Sequence, residues 1–302
     1  MKLIALVVVS AGLLAAQQIV TDVRRLAQTG NLAAAQSRLM EEKGKGVWSP
    51  ELLLAHSWLG RNAQAQGKWD QALTFAAETR KLALEMLAGR QLDDEKDLPL
   101  ALGASIEVRG HALANTGRRS EGVAFLREEL KRWNKTSIRT RIQKNLHLLS
   151  LEGQPAPKLE AKVFVGPGRM KSLDDFKGRP VLLFLWAHWC SDCKVQGPII
   201  EAMRKEFPTL AVVGATQYYG YVSNGEDASH EKEAAYMAQV QKAFYPWMND
   251  LPMPISEENF RAYGSSSSPT LVVLDGRGIV RSYHPGQMRA DELRQALANA
   301  SK

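Results

Sequence analysis

Val181-Leu182-Leu183-Phe184-Leu185-Trp186-Ala187-His188-Trp189-Cys190-Ser191-Asp192-Cys193-Lys194 is the stretch on which the fold turns. Val181–Trp186 is an unbroken apolar run, the pattern of a strand buried on both faces. A short turn follows, and helical periodicity then runs from about Cys193 to Phe207. Strand, turn and helix place Cys190 at a helix N-terminus. Unpaired N–H groups and the positive end of the helix dipole stabilise a thiolate there. Two intervening residues put the second sulfur one helical turn along. The spacing lets Cys190 attack a disulfide and Cys193 resolve the mixed disulfide that results.

Working outward, the C-terminal half alternates strands with helices. Leu210–Ala215 and Thr270–Asp275 are further apolar runs, and Gly276-Arg277-Gly278 makes a tight turn into Ile279–His284. Helical patterns cover about His230–Phe244 and Ala290–Ala300. Strands separated by helices predict parallel pairing and an α/β layer architecture. On the N-terminal side, Glu152-Gly153-Gln154-Pro155-Ala156-Pro157 interrupts helical periodicity, because proline cannot donate and fixes an extended backbone. We place a domain boundary there, separating residues 17–152 from 153–302.

Residues 18–150 read as helix after helix, with a degenerate repeat. Its clearest copy is Leu59-Gly60-x-x-Ala63-x-x-x-Gly67-x-Trp69-x-x-Ala72-x-x-x-Ala76. Leu26…Gly30-x-Leu32-x-x-Ala35…Leu39 and Gly110-x-x-Leu113-x-x-x-Gly117-x-Arg119-x-x-Gly122-x-x-x-Leu126 align with it on the turn glycine. Small residues mark where paired helices cross closely. The positions resemble the tetratricopeptide repeat, although the inserts are unequal and Arg119 stands at the aromatic position. Such arrays bind protein partners or brace a neighbour, and an irregular helical bundle is the plainer alternative.

Trp186-x-x-Trp189-Cys190-x-x-Cys193-Lys194 after a hydrophobic strand, with Pro198 beyond, resembles thioredoxin. Gly153-Gln154-Pro155-Ala156-Pro157, Leu173–Val181 and the insert before Pro269 resemble the TlpA/ResA branch of exported reductases. The resemblance spans Gly153 to the C-terminus and implies a thioredoxin-like α/β domain with a mixed sheet flanked by helices. It further implies that Ser268-Pro269-Thr270 is a cis-proline turn facing the cysteines, with Trp189, Ser268 and Pro269 holding an extended substrate segment.

Three departures stand out. The buried Asp of thioredoxin is Phe184 here, and the Glu common after the TlpA cysteine pair is Gln196. Ser191-Asp192 replaces the usual proline-containing dipeptide. Asp192 reads two ways: as a carboxylate that opposes thiolate formation at Cys190, or as a simple helix cap. His188 reads as an exposed residue on the site's rim, and Tyr218-Tyr219-x-Tyr221 as either a docking rim or core packing.

Composition bounds the rest. The chain carries 39 Lys+Arg against 32 Asp+Glu, a formal charge of +7, but no dense basic run that would mark a nucleic-acid surface. Met1-Lys2, the apolar Leu3–Val9 and the small-residue end at Ala15-Ala16 match a secretory signal or a retained anchor over residues 1–16. That implies a periplasmic location or the outer face of the cytoplasmic membrane. Both cysteines of the chain lie in the one Cys-x-x-Cys. A closed zinc site needs four ligands, and His188, His230 and His284 lack ligand spacing. Lys194 excludes haem attachment, and Ala187 stands where a peroxiredoxin needs Thr. The expectation is therefore a thiol–disulfide oxidoreductase with no cofactor beyond the Cys190–Cys193 disulfide, acting on protein disulfides and recharged by a membrane electron donor. The rival is a partner-binding helical protein carrying a redox-degenerate thioredoxin-like domain.

Overall fold

The computed structural model describes residues 18–302, so the signal or anchor expected over 1–16 lies outside the described residues. The chain divides into two compact units between Asn145 and Leu146.

The described N-terminal unit is all helical. Helix α1 covers residues 18–28. It is followed by α2 (Leu32–Lys43), α3 (Pro50–Ala65), α4 (Trp69–Leu87), α5 (Leu98–Asn115), α6 (Arg119–Arg132) and α7 (Arg139–Ser150). Three helical hairpins, α1–α2, α3–α4 and α5–α6, turn in the same way. Gly30, Gly67 and Gly117 have φ of +82°, +68° and +80°. The next N–H returns to the carbonyl five residues back in each: Asn31 to Leu26 at 3.1 Å, Lys68 to Ala63 at 2.8 Å, Arg118 to Leu113 at 2.9 Å. This is the glycine-terminated helix end, which a side chain would strain. Close crossing explains the small residues: a Cβ on Gly122 would lie 2.7 Å from the Gly110 carbonyl oxygen. The core is built from Ala35, Leu39, Leu59, Ala63, Ala72 and Ala76, all on the stripes the repeat marks.

The C-terminal unit is built on a four-stranded sheet in the order β2-β1-β3-β4. These strands are β1 (Val181–Leu185), β2 (Ala211–Val213), β3 (Thr270–Leu274) and β4 (Val280–Pro285). β1 runs parallel to β2 but antiparallel to β3, and β3 antiparallel to β4, so the sheet is mixed. Parallel pairing thus holds for one pair only. β3 returns through the insert between β2 and Pro269 rather than by a simple crossover. Helices α8 (Ser191–Glu206), α9 (His230–Phe244), α10 (Glu257–Tyr263) and α11 (Ala290–Ala300) complete the unit.

Every residue of β1 and β3 is buried, as continuous apolar runs require. Leu182, Phe184 and Trp186 pack with Ile200 and Met203 of α8, Met237 of α9 and Leu293 and Leu297 of α11. Val181, Leu183 and Leu185 face the opposite way, against Phe260 and Tyr263 of α10 and Leu151. The period-2 alternation of the strand therefore divides the core into two layers.

The end of α7 and the segment after it belong to this second unit. His147 Nε2 lies 2.8 Å from the Ala262 carbonyl, and its ring meets Tyr283 edge-on at 5.5 Å. Gly153 N–H donates to Val280 O at 2.8 Å. Among the described residues no helix is long and apolar enough to cross a membrane.

Candidate active site

β1 delivers its C-terminal end to the site. Trp186, fully buried, is pinned by its backbone N–H to Ala215 O at 2.9 Å and by Nε1 to Gly214 O at 3.0 Å. Ala187 O then accepts from Cys190 N at 3.1 Å, closing the turn into α8. Cys190 is the N-cap of that helix, its Sγ accepting from Cys193 N–H at 3.0 Å. The sulfur thus occupies the place where a capping oxygen would satisfy an orphan donor, and an anion there is favoured by the helix dipole. The cap reading of Asp192 is corrected accordingly, because Cys190 fills that position and Asp192 lies in the first turn. The Asp192 side chain is exposed, and its carbonyl accepts from Gln287 Nε2 at 3.3 Å.

Cys190 and Cys193 form a disulfide with Cα atoms 5.3 Å apart. Both are buried, Cys190 at 3% exposure and Cys193 at 0%. Trp189 is 48% exposed beside them and meets Tyr219 edge-on at 5.5 Å. The Ser268–Pro269 peptide is cis, as the resemblance implies, and Pro269 O accepts from Gly286 N at 2.7 Å.

The two positions at which the resemblance implies an acid are filled differently. Phe184 is a core residue against Tyr245, with ring centroids 5.8 Å apart. Gln196 is fully buried, and its Oε1 accepts from Met288 N at 2.8 Å. Because an N–H faces that oxygen, the Gln196 amide nitrogen points the other way, where it has no hydrogen-bond partner.

His188 overturns the rim reading. It is 1% exposed, ringed by Tyr219, Tyr221 and Tyr236 at 5.3–5.4 Å, and its Nε2 lies 3.1 Å from Glu233 Oε1. Glu233 is 0% exposed and also accepts from Tyr219 N at 2.7 Å and Gly220 N at 2.9 Å. Burial lowers the His188 pKa, with Glu233 opposing the shift. Sequence reading passed over Glu233, although a signal existed: Glu233, Met237, Val240 and Gln241 form the buried stripe of α9 at helical spacing. An acid on an apolar stripe must find partners inside. Tyr218 stacks on His230 with centroids 4.0 Å apart, and the half-buried Tyr219 packs edge-on against His188, Trp189 and Phe260.

Residues 153–283 match the AhpC/TSA family. The chain is 31% identical over 146 residues to the thioredoxin-like protein YneN of Bacillus subtilis, a match spanning 48% of this chain and 78% of that protein. The chain belongs to the thioredoxin-like family. This thioredoxin-like protein is also 27% identical over 150 residues to the thiol:disulfide interchange protein DsbE of Xylella fastidiosa, covering 49% of the chain and 68% of the relative. A DsbE of Escherichia coli is 26% identical over 147 residues, covering 46% and 68%. Among solved structures, a putative DsbE from Chlorobium tepidum overlays 49% of this chain and 97% of its own, with a TM-score of 0.38 and 22% identity. The thioredoxin-like protein is a thiol–disulfide oxidoreductase with its cysteine pair at Cys190 and Cys193.

Proposed function

We propose that the protein is an exported reductase of protein disulfides. The observation that carries the reading is the Cys190 sulfur at the N-cap of α8, held by the Cys193 N–H, with the resolving sulfur buried three residues further on. In the dithiol form the Cys190 thiolate attacks a partner disulfide. A mixed disulfide forms and one partner thiolate leaves. Cys193, losing its proton, then attacks Cys190 Sγ, which regenerates the Cys190–Cys193 disulfide and releases the second partner thiolate. The partner gains two electrons, so a dithiol donor must restore the enzyme. Trp189 and the Ser268-Pro269 turn present the partner segment, and the disulfide is the only redox group the reaction needs. Asp192, two positions after Cys190 and next to Cys193, opposes the thiolate and so favours electron donation.

The leader-like residues 1–16 support export, which in turn requires a membrane electron donor, since the cytoplasmic thiol pool does not reach the site. The helical unit, with its repeated hairpins, is a surface for a protein partner. The test is reduction of a disulfide-bonded peptide. Wild type should turn over, Cys190→Ser should lose activity, and Cys193→Ser should accumulate mixed disulfides with the partner. Turnover that survives Cys190→Ser, or equal trapping by both variants, removes the assignment. A wild-type protein that reduces nothing returns the helical unit to first place as the working part.

A further inference from the structure

Glu233 is a fully buried carboxylate whose bonds all converge on one place beside the disulfide. Its Oε1 takes the His188 Nε2–H at 3.1 Å and the Tyr219 N–H at 2.7 Å, and its Oε2 takes the Gly220 N–H at 2.9 Å. A carboxylate only accepts, so His188 carries its proton on Nε2, and the ring nitrogen Nδ1 is left buried without a partner. Buried pairs of this kind are weak stabilisers, and apolar residues of equal volume would pack as well. What the pair supplies is direction. Three charge-assisted bonds fix His188, two residues before Cys190, to the backbone turn at Tyr219-Gly220, where Gly220 has φ +83°.

That turn carries Tyr219, whose ring touches both sides of the site. It meets His188 at 5.4 Å and Trp189 at 5.5 Å, and its buried hydroxyl lies near the Ser268 and Gln217 side chains without a hydrogen-bond partner. Tyr219 therefore bridges the exposed tryptophan next to the nucleophile and the cis-proline turn. Burial keeps the Tyr219 phenol protonated, so the wall stays neutral throughout the working range. The groups facing His188 are Glu233 and Tyr236 from α9, Tyr219 and Tyr221 from the turn, and Lys194 from α8, whose ammonium lies 4.4 Å from the Phe244 ring centroid.

We propose that His188 and Glu233 are positioning residues that hold Tyr219 as the aromatic wall between Trp189 and Ser268, and that this wall selects disulfide substrates with an apolar side chain beside the attacked cysteine. The inference rests on the reductase reading above and adds the substrate class and the residues that set it. His188 and Glu233 do not touch the reacting sulfurs in this account; they act through Tyr219.

The experiment compares two substrates with the full chain: a disulfide peptide with leucine beside its cysteine, and hydroxyethyl disulfide, which has no side chain to place. The readout is the ratio of their kcat/KM values. Loss of one well-packed contact, on the order of 1 kcal/mol, corresponds to about fivefold. Tyr219→Ala and Glu233→Gln should each lower the ratio about 5- to 10-fold, through KM for the peptide, while Tyr219→Phe keeps it. The double variant should be no worse than Tyr219→Ala, because the two changes remove the same wall. The pH midpoint of Cys190 alkylation should stay in place in all of them. If Glu233→Gln fails to fold, Tyr219→Ala and Tyr219→Phe still decide. A wild-type ratio in Tyr219→Ala, or additive losses in the double variant, overturns the proposal. Wild-type protein inert toward both disulfides fails the reductase reading first, a result distinct from the loss of selectivity.

Discussion

His56 in the helical unit and His188 in the thioredoxin-like unit are buried alike, among aromatic rings, yet they are held in opposite ways. His56 Nδ1 lies 2.8 Å from Thr79 Oγ1. The Thr79 hydroxyl gives its own proton to Phe75 O at 2.8 Å, so it accepts from His56, and the proton sits on Nδ1. His188 instead donates from Nε2 to a buried carboxylate. The first contact joins residues 23 apart on adjacent helices α3 and α4, whereas the second joins residues 45 apart through a loop and α9. In the helical unit a buried polar group braces a hairpin with what the hairpin itself offers. In the thioredoxin-like unit it draws remote backbone to the edge of the disulfide. Local contacts make a scaffold, and remote ones make a site.

The largest test of that contrast is a cut. If the second unit depends on remote contacts, it should begin at Leu146 and not at Gly153. A fragment 146–302 keeps the His147–Ala262 bond and buried Leu151; a fragment 153–302 loses both. One buried leucine and one hydrogen bond together amount to about 3–5 kcal/mol. The shorter fragment should show a correspondingly lower urea midpoint. Equal midpoints would mean that the end of α7 contributes nothing to the second unit.

A smaller effect comes from acid. Burial is the leading cause that lowers the pKa of both His56 and His188, and the neighbouring carboxylates Glu78 and Glu233 oppose it. Each group then binds its proton more readily unfolded than folded. Above the unfolded value, about 6.5, both states are neutral and nothing is lost. As pH falls below about 6.5 toward the depressed folded value, stability declines, by at most about 1.4 kcal/mol per pH unit for each histidine. His188→Gln can still donate to Glu233 but cannot titrate. It should flatten the acid loss of fragment 146–302, leaving the part due to His147, whose pKa burial also lowers. An unchanged slope would show that His188 already carries its charge in the fold.

The smallest effect belongs to Asp192, exposed in the first turn of α8. Water screens it, so Asp192→Asn should move the pH midpoint of Cys190 alkylation downward by about one unit or less. An unchanged or higher midpoint would remove Asp192 as the reason for a reducing poise.

Much of this architecture was legible in one dimension. Val181–Leu185 and Thr270–Leu274 announced themselves as buried strands because both faces are apolar, and His230–Phe244 and Ala290–Ala300 by their 3.6-residue stripes. The turn glycines 30, 67 and 117 were visible because only that residue takes the left-handed turn without strain. Less visible were the direction of β3, the short helix α10 and the allegiance of the end of α7. Each depends on what a segment meets after a long detour, and periodicity carries no record of that.

By itself, the sequence determined the nucleophile and its setting. A buried strand, a turn and a helix beginning at a Cys-x-x-Cys bring a sulfur to a helix N-terminus by local geometry alone. Tertiary structure alone decided the fate of His188. An imidazole beside two tryptophans reads as rim until the chain returns with Glu233 from α9 to meet it. A buried polar group is set by its partner, and the partner was chosen by packing between residues far apart in the chain.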